Sequence, residues 1–261
     1  MSTSPITTTA SAPNRLFPSK DRPVRVIARN LAADELLRQH QHPWGQVTYA
    51  LDGVMQVHAK DSTWFVPPLR AIWIPANVAH EVRIIETARL RAIYIHQDVA
   101  PIKGDQCVVL EVSALMRELV LRLAEQDPAG QRENHLVAVL LDELAIAESL
   151  PMRVAMPHDK RLKTLCLTLI DDPSSNLTLD DLACQVGASA RTLARLFEKD
   201  LGMSFVAWRQ QMRLARAAPL IAGGMPLSQV ASELGYASQS ALTAMFKKAF
   251  GQSPSVFFKH P

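Results

Sequence analysis

Leu182-Ala183-Cys184-Gln185-Val186-Gly187-Ala188-Ser189, followed by Leu193, Phe197, Lys199, Gly202 and Ser204, is a pattern this chain writes twice. It returns as Val230-Ala231, Gly235 and Ser238, then Leu242, Phe246, Lys248, Gly251 and Ser253, at an offset of 48 residues up to the glycine and 49 beyond it. A doubled pattern with one inserted residue marks a duplicated supersecondary unit. In the first copy the spacing predicts a short helix over 179–186 with acids in its first turn, then a left-handed break at Gly187. Ser189 is placed to cap a second helix, from about Ala190 to about Asp200. Leu193, Leu196 and Phe197 share one face of it, while Arg191, Ala194, Arg195 and Glu198 share another. The second copy predicts a helix over 227–234, a break at Gly235, a cap at Ser238 and a helix to about Ala249. There Leu242, Met245 and Phe246 face inward, and Ser240, Thr243, Ala244 and Lys247 face outward, with Gln239 at the entrance. Two short helices joined by a glycine turn, the second carrying polar groups outward, form a helix-turn-helix.

Between the copies, Phe205 to about Leu220 is helical in pattern, with Trp208, Met212, Ala215 and Leu220 as its apolar contacts. About sixteen residues at 1.5 Å each span roughly 24 Å. Such a rod suits two recognition helices about one DNA turn apart, near 34 Å, entering successive major grooves. Pro219 is expected to kink or stop it.

The tandem pattern resembles the AraC/XylS family of transcriptional regulators. The resemblance runs from about Asp159 to the C-terminus and includes Gly235-Tyr236-Ala237-Ser238-Gln239-Ser240 and Phe246-Lys247-Lys248-Ala249-Phe250-Gly251-Gln252-Ser253-Pro254. It implies that Arg191, Ala194 and Arg195 face bases in the first unit, and Gln239, Ser240 and Ala244 in the second. Two of these six are alanine, where relatives often carry longer polar chains, so the first unit is expected to read more sequence. The full set expected at DNA is Ser189, Arg191, Thr192, Arg195, Ser238, Gln239, Ser240, Thr243 and Lys247.

Charge agrees with that division. From Asp159 onward there are 12 Lys and Arg against 8 Asp and Glu, net +4, whereas the residues before it carry 16 against 17. The excess lies where a phosphate-facing surface requires it. At 261 residues with 48% hydrophobic and 20% charged content, two soluble globular domains are expected. Cys107, Cys166 and Cys184 are scattered, lack metal spacing and read as small apolar fillers in a reducing cytoplasm. No apolar run reaches the length of a membrane span. Residues 1–20, rich in Ser, Thr, Pro and Ala, read as a disordered tail rather than a signal peptide.

Residues 21–106 read as strands: 24–28, 46–51, 54–58, 64–66, 71–74, 81–85 and 90–95, with Asp52-Gly53 as a hairpin signal. Close-spaced short strands punctuated by Pro67-Pro68, Pro75 and Asn77 predict a sandwich or jelly-roll barrel. Within it, His40-x-His42, then Gln46 and Gly53, resembles the first cupin motif, with Gln46 where glutamate is usual. Pro75-x-Asn77-x-x-His80 resembles the second, with Asn77 where glycine is usual. The resemblance implies that His40, His42, Gln46 and His80 converge inside the barrel, where three imidazoles and an amide oxygen suit a divalent transition metal. Trp44, Tyr49 and Trp73, with Trp64 and Tyr94, are candidate aromatic walls for a small organic effector.

Residues 107–150 change to helical patterning, with one stripe of Leu115, Met116, Leu119, Val120 and Leu123 and another of Leu136, Val139, Leu140, Leu144 and Ala147, broken at Asp127-Pro128-Ala129-Gly130. In the family such a pair often serves as a dimer seam, so a homodimer is expected. Residues 151–158, with two prolines, read as a linker to the DNA-binding half at 159–261. The expected fold is α+β: a cupin-like β-barrel with a helical hairpin, then an all-α tandem helix-turn-helix domain. The expected function is cytoplasmic and not enzymatic. It is sequence-specific binding of double-stranded promoter DNA, modulated by a small ligand or metal in the barrel, with RNA polymerase as partner if the protein activates. His40, His42 and His80 with Trp73-Ile74-Pro75-Ala76 resemble a subgroup that often controls a neighbouring transporter gene. The alternative is a metal-dependent cupin enzyme carrying a helical DNA-binding regulatory domain; Gln46 in place of a carboxylate argues against it. A sequence-indifferent architectural DNA binder is a third reading.

Overall fold

The computed structural model describes residues 17–125 and 130–258. Most of the expected tail and the 126–129 turn lie outside them. Eleven strands build two facing sheets among the described residues. They are β1 (Val24–Leu31), β2 (Leu36–His40), β3 (Gly45–Ala50), β4 (Val54–Ala59), β5 (Ser62–Val66), β6 (Arg70–Ile74), β7 (His80–Glu86), β8 (Ala88–Ile95), β9 (Val108–Glu111), β10 (Ser149–Leu150) and β11 (Arg153–Ala155). One sheet runs β1-β8-β3-β6-β9-β10 and the other β11-β5-β4-β7-β2. Met55, Val57, Val66, Ile72, Ile74, Val82 and Ile84 fill the space between them.

The outer face of the six-stranded sheet is also dry. Val47, Tyr49, Ala71, Trp73 and Ile93 pack there on α1 (Ala114–Glu125) and α2 (Gln131–Ile146) through Met116, Leu119, Val120, Val137, Leu140 and Leu144. The helical stripes differ from expectation at two positions. Leu115 is 50% exposed and Val139 41% exposed, because the turn of each helix aims Met116 and Val137 at the sheet instead.

Asp52-Gly53 is not a hairpin. β3 and β4 belong to different sheets, so the turn carries the chain across the sandwich. Gly53 has φ +70°, and a Cβ there would meet the Thr87 carbonyl oxygen at 2.4 Å, so only glycine fits the crossing.

The expected linker also takes another form. Arg153–Ala155 pair antiparallel with Trp64–Ser62 and complete an edge of the five-stranded sheet. The helical half follows as α3 (Lys160–Asp171), α4 (Leu179–Gln185), α5 (Ala190–Leu201), α6 (Phe205–Ala222), α7 (Leu227–Glu233), α8 (Gln239–Phe250) and α9 (Pro254–Phe257). The duplication is metric as well as sequential: α4 and α7 each have 7 residues, α5 and α8 each have 12. α6 continues through Pro219 to Ala222, so the proline does not stop it; it sits in the last turn, where few further bonds depend on it.

The halves share a core. Leu214 and Ala218 of α6, Phe246 of α8 and Phe257 of α9 join the cluster that fills the sandwich, while Phe65 of β5 joins the cluster around Trp208 and Phe197. The Trp208 indole N–H donates to the Ala155 carbonyl at 2.7 Å. Arg70, buried at the start of β6, donates to the Phe257 carbonyl at 3.2 Å and stacks on its ring at 4.8 Å.

Candidate functional site

Two exposed helix faces and one histidine cluster, with His42 and His80 buried and His40 exposed, emerge. At the N-terminus of α5 the Ser189 hydroxyl accepts the Thr192 N–H at 3.1 Å, and Gly202 ends the helix in the left-handed region. Leu193 and Phe197 are buried, which leaves Arg191, Ala194 and Arg195 exposed on the far side. Thr192 is half-buried, its hydroxyl 2.9 Å from that of Ser189, and so belongs to the cap. α8 repeats the construction. Ser238 accepts the Ala241 N–H at 3.2 Å, Leu242 and Phe246 are buried, and Gln239, Ser240, Ala244 and Lys247 are exposed, with Thr243 half-buried. Arg191, Arg195 and Lys247 have no ion-pair partner among the described residues, which leaves their donors open to phosphates and base edges.

In the sandwich, β2, the turn that follows it, β3 and β7 bring His40, His42, Gln46 and His80 together. His40 and His80 are paired across β2 and β7, with ring centroids 4.3 Å apart, and His42 lies 5.1 Å from His80. Each ring offers a nitrogen within 4.8 Å of the others. Asn77, where the second cupin motif usually has glycine, holds φ +61° and donates its N–H to the His42 carbonyl; asparagine is among the few residues that tolerate this conformation.

The backbone fixes all three tautomers. The Nδ1 atoms of His40, His42 and His80 lie 2.9, 2.7 and 2.9 Å from the carbonyls of Arg38, Trp44 and Val78. A carbonyl only accepts, so each Nδ1 carries hydrogen, and in a neutral ring Nε2 is then a bare lone pair. Burial pushes the His80 pKa down to about 4 and lowers that of His42, which keeps both neutral. His80 is 1% exposed and its Nε2 has no partner. The Gln46 amide lies 2.9 Å from His42 Nε2 and 2.8 Å from the Thr48 hydroxyl. With His42 neutral, the orientation that satisfies all three groups has the Gln46 NH2 donating to Nε2 and the Thr48 hydroxyl donating to the amide oxygen.

The aromatic candidates separate. Trp44 stacks on His42 with centroids 5.1 Å apart, beside Tyr94. Tyr49 and Trp73 face the opposite side of the sheet, against α1 and α2, and so do not reach the cluster; Trp73 lies over Gly45, where a Cβ would meet its ring at 2.2 Å. Tyr49 instead lines a cleft of about 420 Å³ with Arg70, Arg117 and Phe257, remote from the histidines. Trp64 is core. Phe17, within the expected tail, stacks on Trp44 at 4.6 Å, and no pattern in its flanking sequence signals this. Cys107 and Cys166 are buried fillers, but Cys184 is exposed.

A sandwich with an inward-facing polar cluster, joined to two outward-facing recognition helices, defines a ligand-binding transcriptional regulator. Residues 23–145 match the AraC-like ligand binding domain and residues 182–260 the helix-turn-helix domain. The HTH-type transcriptional regulator NimR of Escherichia coli (strain K12) is 34% identical over 218 residues, covering 82% of this chain and 80% of NimR. The arabinose operon regulatory protein of the same organism is 32% identical over 137 residues, covering 49% of this chain and 47% of that protein. Among solved structures, ToxT from Vibrio cholerae is similar at 12% identity with a TM-score of 0.39, over 90% of this chain and 98% of that one.

The chain belongs to the AraC family of HTH-type transcriptional regulators. Family membership sets aside the enzyme reading. No helix among the described residues is long and apolar enough to cross a membrane.

Proposed function

We propose that this regulator binds promoter DNA through α5 and α8 and that its barrel is a sensor loaded with a divalent transition metal at His40, His42 and His80. The observation that carries the metal reading is the set of three Nδ1–H groups tied to backbone carbonyls. That arrangement leaves the Nε2 lone pair of each ring as its ligand atom, as the outer partners of metal-binding histidines do. A tetrahedral zinc site with Zn–N bonds near 2.1 Å sets its ligands roughly 3.4 Å apart, so ring nitrogens already within 4.8 Å of one another need only close inward. With a metal on His42 Nε2, Gln46 would lose that partner, and a flip of its amide away from Thr48 would turn its oxygen inward as a fourth, uncharged ligand. Trp44 stacks on both His42 and Phe17, so a small organic effector beside the metal would reach the indole by displacing Phe17. Since a ligand shifts an equilibrium only by its unequal affinity for two states, the sensed molecule must favour one arrangement of the DNA-binding half.

The finer features of the reading follow from the same parts. Leu115, Val139 and Ile146 are exposed apolar groups on α1 and α2, which supports a homodimer seam there. Arg191 and Arg195 carry most base reading. The protein works in the cytoplasm, meets RNA polymerase if it activates, and controls a neighbouring transporter gene. Calorimetric titration of chelator-treated protein with Zn2+ tests the sensor: saturable binding near one ion per chain, abolished in His80→Ala, is expected. Equal binding by His80→Ala would remove the metal from the reading.

A further inference from the structure

Arg213 is a cation on the buried side of α6, 9% exposed, with no carboxylate in hydrogen-bond contact. Its guanidinium is used up on oxygens from two separate parts of the DNA-binding half. Nε donates to the Pro173 carbonyl at 2.9 Å, and Nη2 to the Ser175 carbonyl at 3.0 Å and the Asn176 side-chain oxygen at 3.3 Å. These groups sit in the loop that leads into α4, the entry to the first helix-turn-helix. Nη1 donates to the Gly235 carbonyl at 3.0 Å, in the turn of the second. Arg209, one helical turn earlier, donates to Leu177 of the same loop. The junction is closely fitted from the other side too: Gly235 has φ +67°, and a Cβ there would lie 2.6 Å from Arg213 Nη2 and 2.6 Å from the Ser174 carbonyl oxygen.

We infer that Arg213 is a positioning residue that sets the relative placement of the two recognition helices, and thereby the spacing between DNA segments the protein accepts, without touching DNA. A planar fork with five fixed donors holds two backbone segments at a defined distance and rotation, which a flexible ammonium cannot do. Gly235 precedes Ser238, the cap of α8, by only three residues, so holding its carbonyl fixes where α8 begins. α7 and α8 also pack on α6 through Ala217, Val230, Ala231, Leu234 and Leu242; that apolar contact is not directional, and the guanidinium adds the directional restraint on the turn of the second unit. The inference rests on the reading that α5 and α8 both engage DNA.

The test uses the full chain and a duplex enriched from a random library by the wild-type protein, its two contacted segments mapped by footprinting. A second duplex has two base pairs inserted between those segments, which turns one about 70° relative to the other. Wild type is expected to bind the second duplex at least about thirtyfold more weakly, the loss of roughly two base contacts. Arg213→Gln and Arg213→Lys are expected to bind the first duplex more weakly but to discriminate between the two by less than about fivefold. Gly235→Ala, which crowds the same contact from the opposite side, is expected to behave alike. Thermal unfolding identifies which variants are folded, and the conservative Arg213→Lys decides if the glutamine variant is not. A purely structural role would weaken binding to both duplexes by one factor and leave the ratio at its wild-type value; that result overturns the inference. If wild type itself binds both duplexes equally, the two-helix reading fails, and the inference with it.

Discussion

The indole of Trp208, at the centre of the helical half, is tied to the backbone of Ala155, in a strand of the sensor sheet, at 2.7 Å. Trp208 is fully buried, so neither partner has water as an alternative. Trp208→Phe keeps most of the apolar volume but orphans that carbonyl, an omission worth about 1–3 kcal/mol when buried. Urea unfolding of the full chain is expected to show a lower midpoint, and an unchanged midpoint would mean the carbonyl finds another donor.

Arg195 stands exposed on α5 with its donors open. Arg195→Ala is expected to weaken operator binding and relax base preference at one position by roughly 1–3 kcal/mol. Gel shifts across salt concentrations in which the mutant binds as wild type would remove Arg195 from the reading face.

Gln46 holds His42 Nε2 through a neutral amide. Gln46→Glu places a carboxylate there, and Zn2+ affinity is expected to rise by about tenfold or more, since charge strengthens an oxygen ligand. Competition against a chromophoric chelator measures it. A fall in affinity would place the amide outside the ligand set.

His58 sits between Thr63, whose hydroxyl is 2.7 Å from Nδ1, and Gln56, whose amide nitrogen is 3.2 Å from Nε2. Burial lowers its pKa, with Glu81 opposing and nearby Lys163 reinforcing the shift. The folded pKa therefore lies below the unfolded one. Between about pH 6.5 and the folded pKa only the unfolded chain takes up the proton, so stability falls as pH drops through that window. Chemical denaturation at pH 7.5 and 5.5 is expected to show a smaller acid loss in His58→Gln than in wild type.

Cys184 is exposed, whereas burial pushes the Cys107 thiol up to about 12 and that of Cys166 higher still. Ellman's reagent is expected to titrate one thiol in the native chain and three after denaturation. Three fast-reacting native thiols would contradict the packing.

The helical half was legible because its signal is local: glycine breaks, serine caps and a 3.6-residue period recur in both copies, and each helix has one wet face. The sensor half was less so. β2, which reads Leu36-Leu37-Arg38-Gln39-His40, gives no strand signal because it is a largely exposed edge strand with no alternation of apolar and polar residues. β3 is buried at every position, so alternation cannot tell its two dry faces apart, and only the fold shows that Tyr49 and Trp73 pack toward α1 and α2. β11 hid between Pro151 and Pro157 because its pairing is with Trp64–Ser62, far away in sequence. Arg213 had a visible mark, a charge among apolar positions of α6, but its partners come from loops that only the fold brings together.

The edge strand β11 has a practical corollary for anyone who wishes to study the halves separately. A fragment ending at Leu150 would strip the border from β5 and leave a bare row of amides and carbonyls, an invitation to aggregate. The sensor should be cut after Met156, whose N–H bonds the Asp61 carbonyl. Even then Phe65 would lose the cover that the missing half provides, and a solubilising substitution at that position would be the first repair to try.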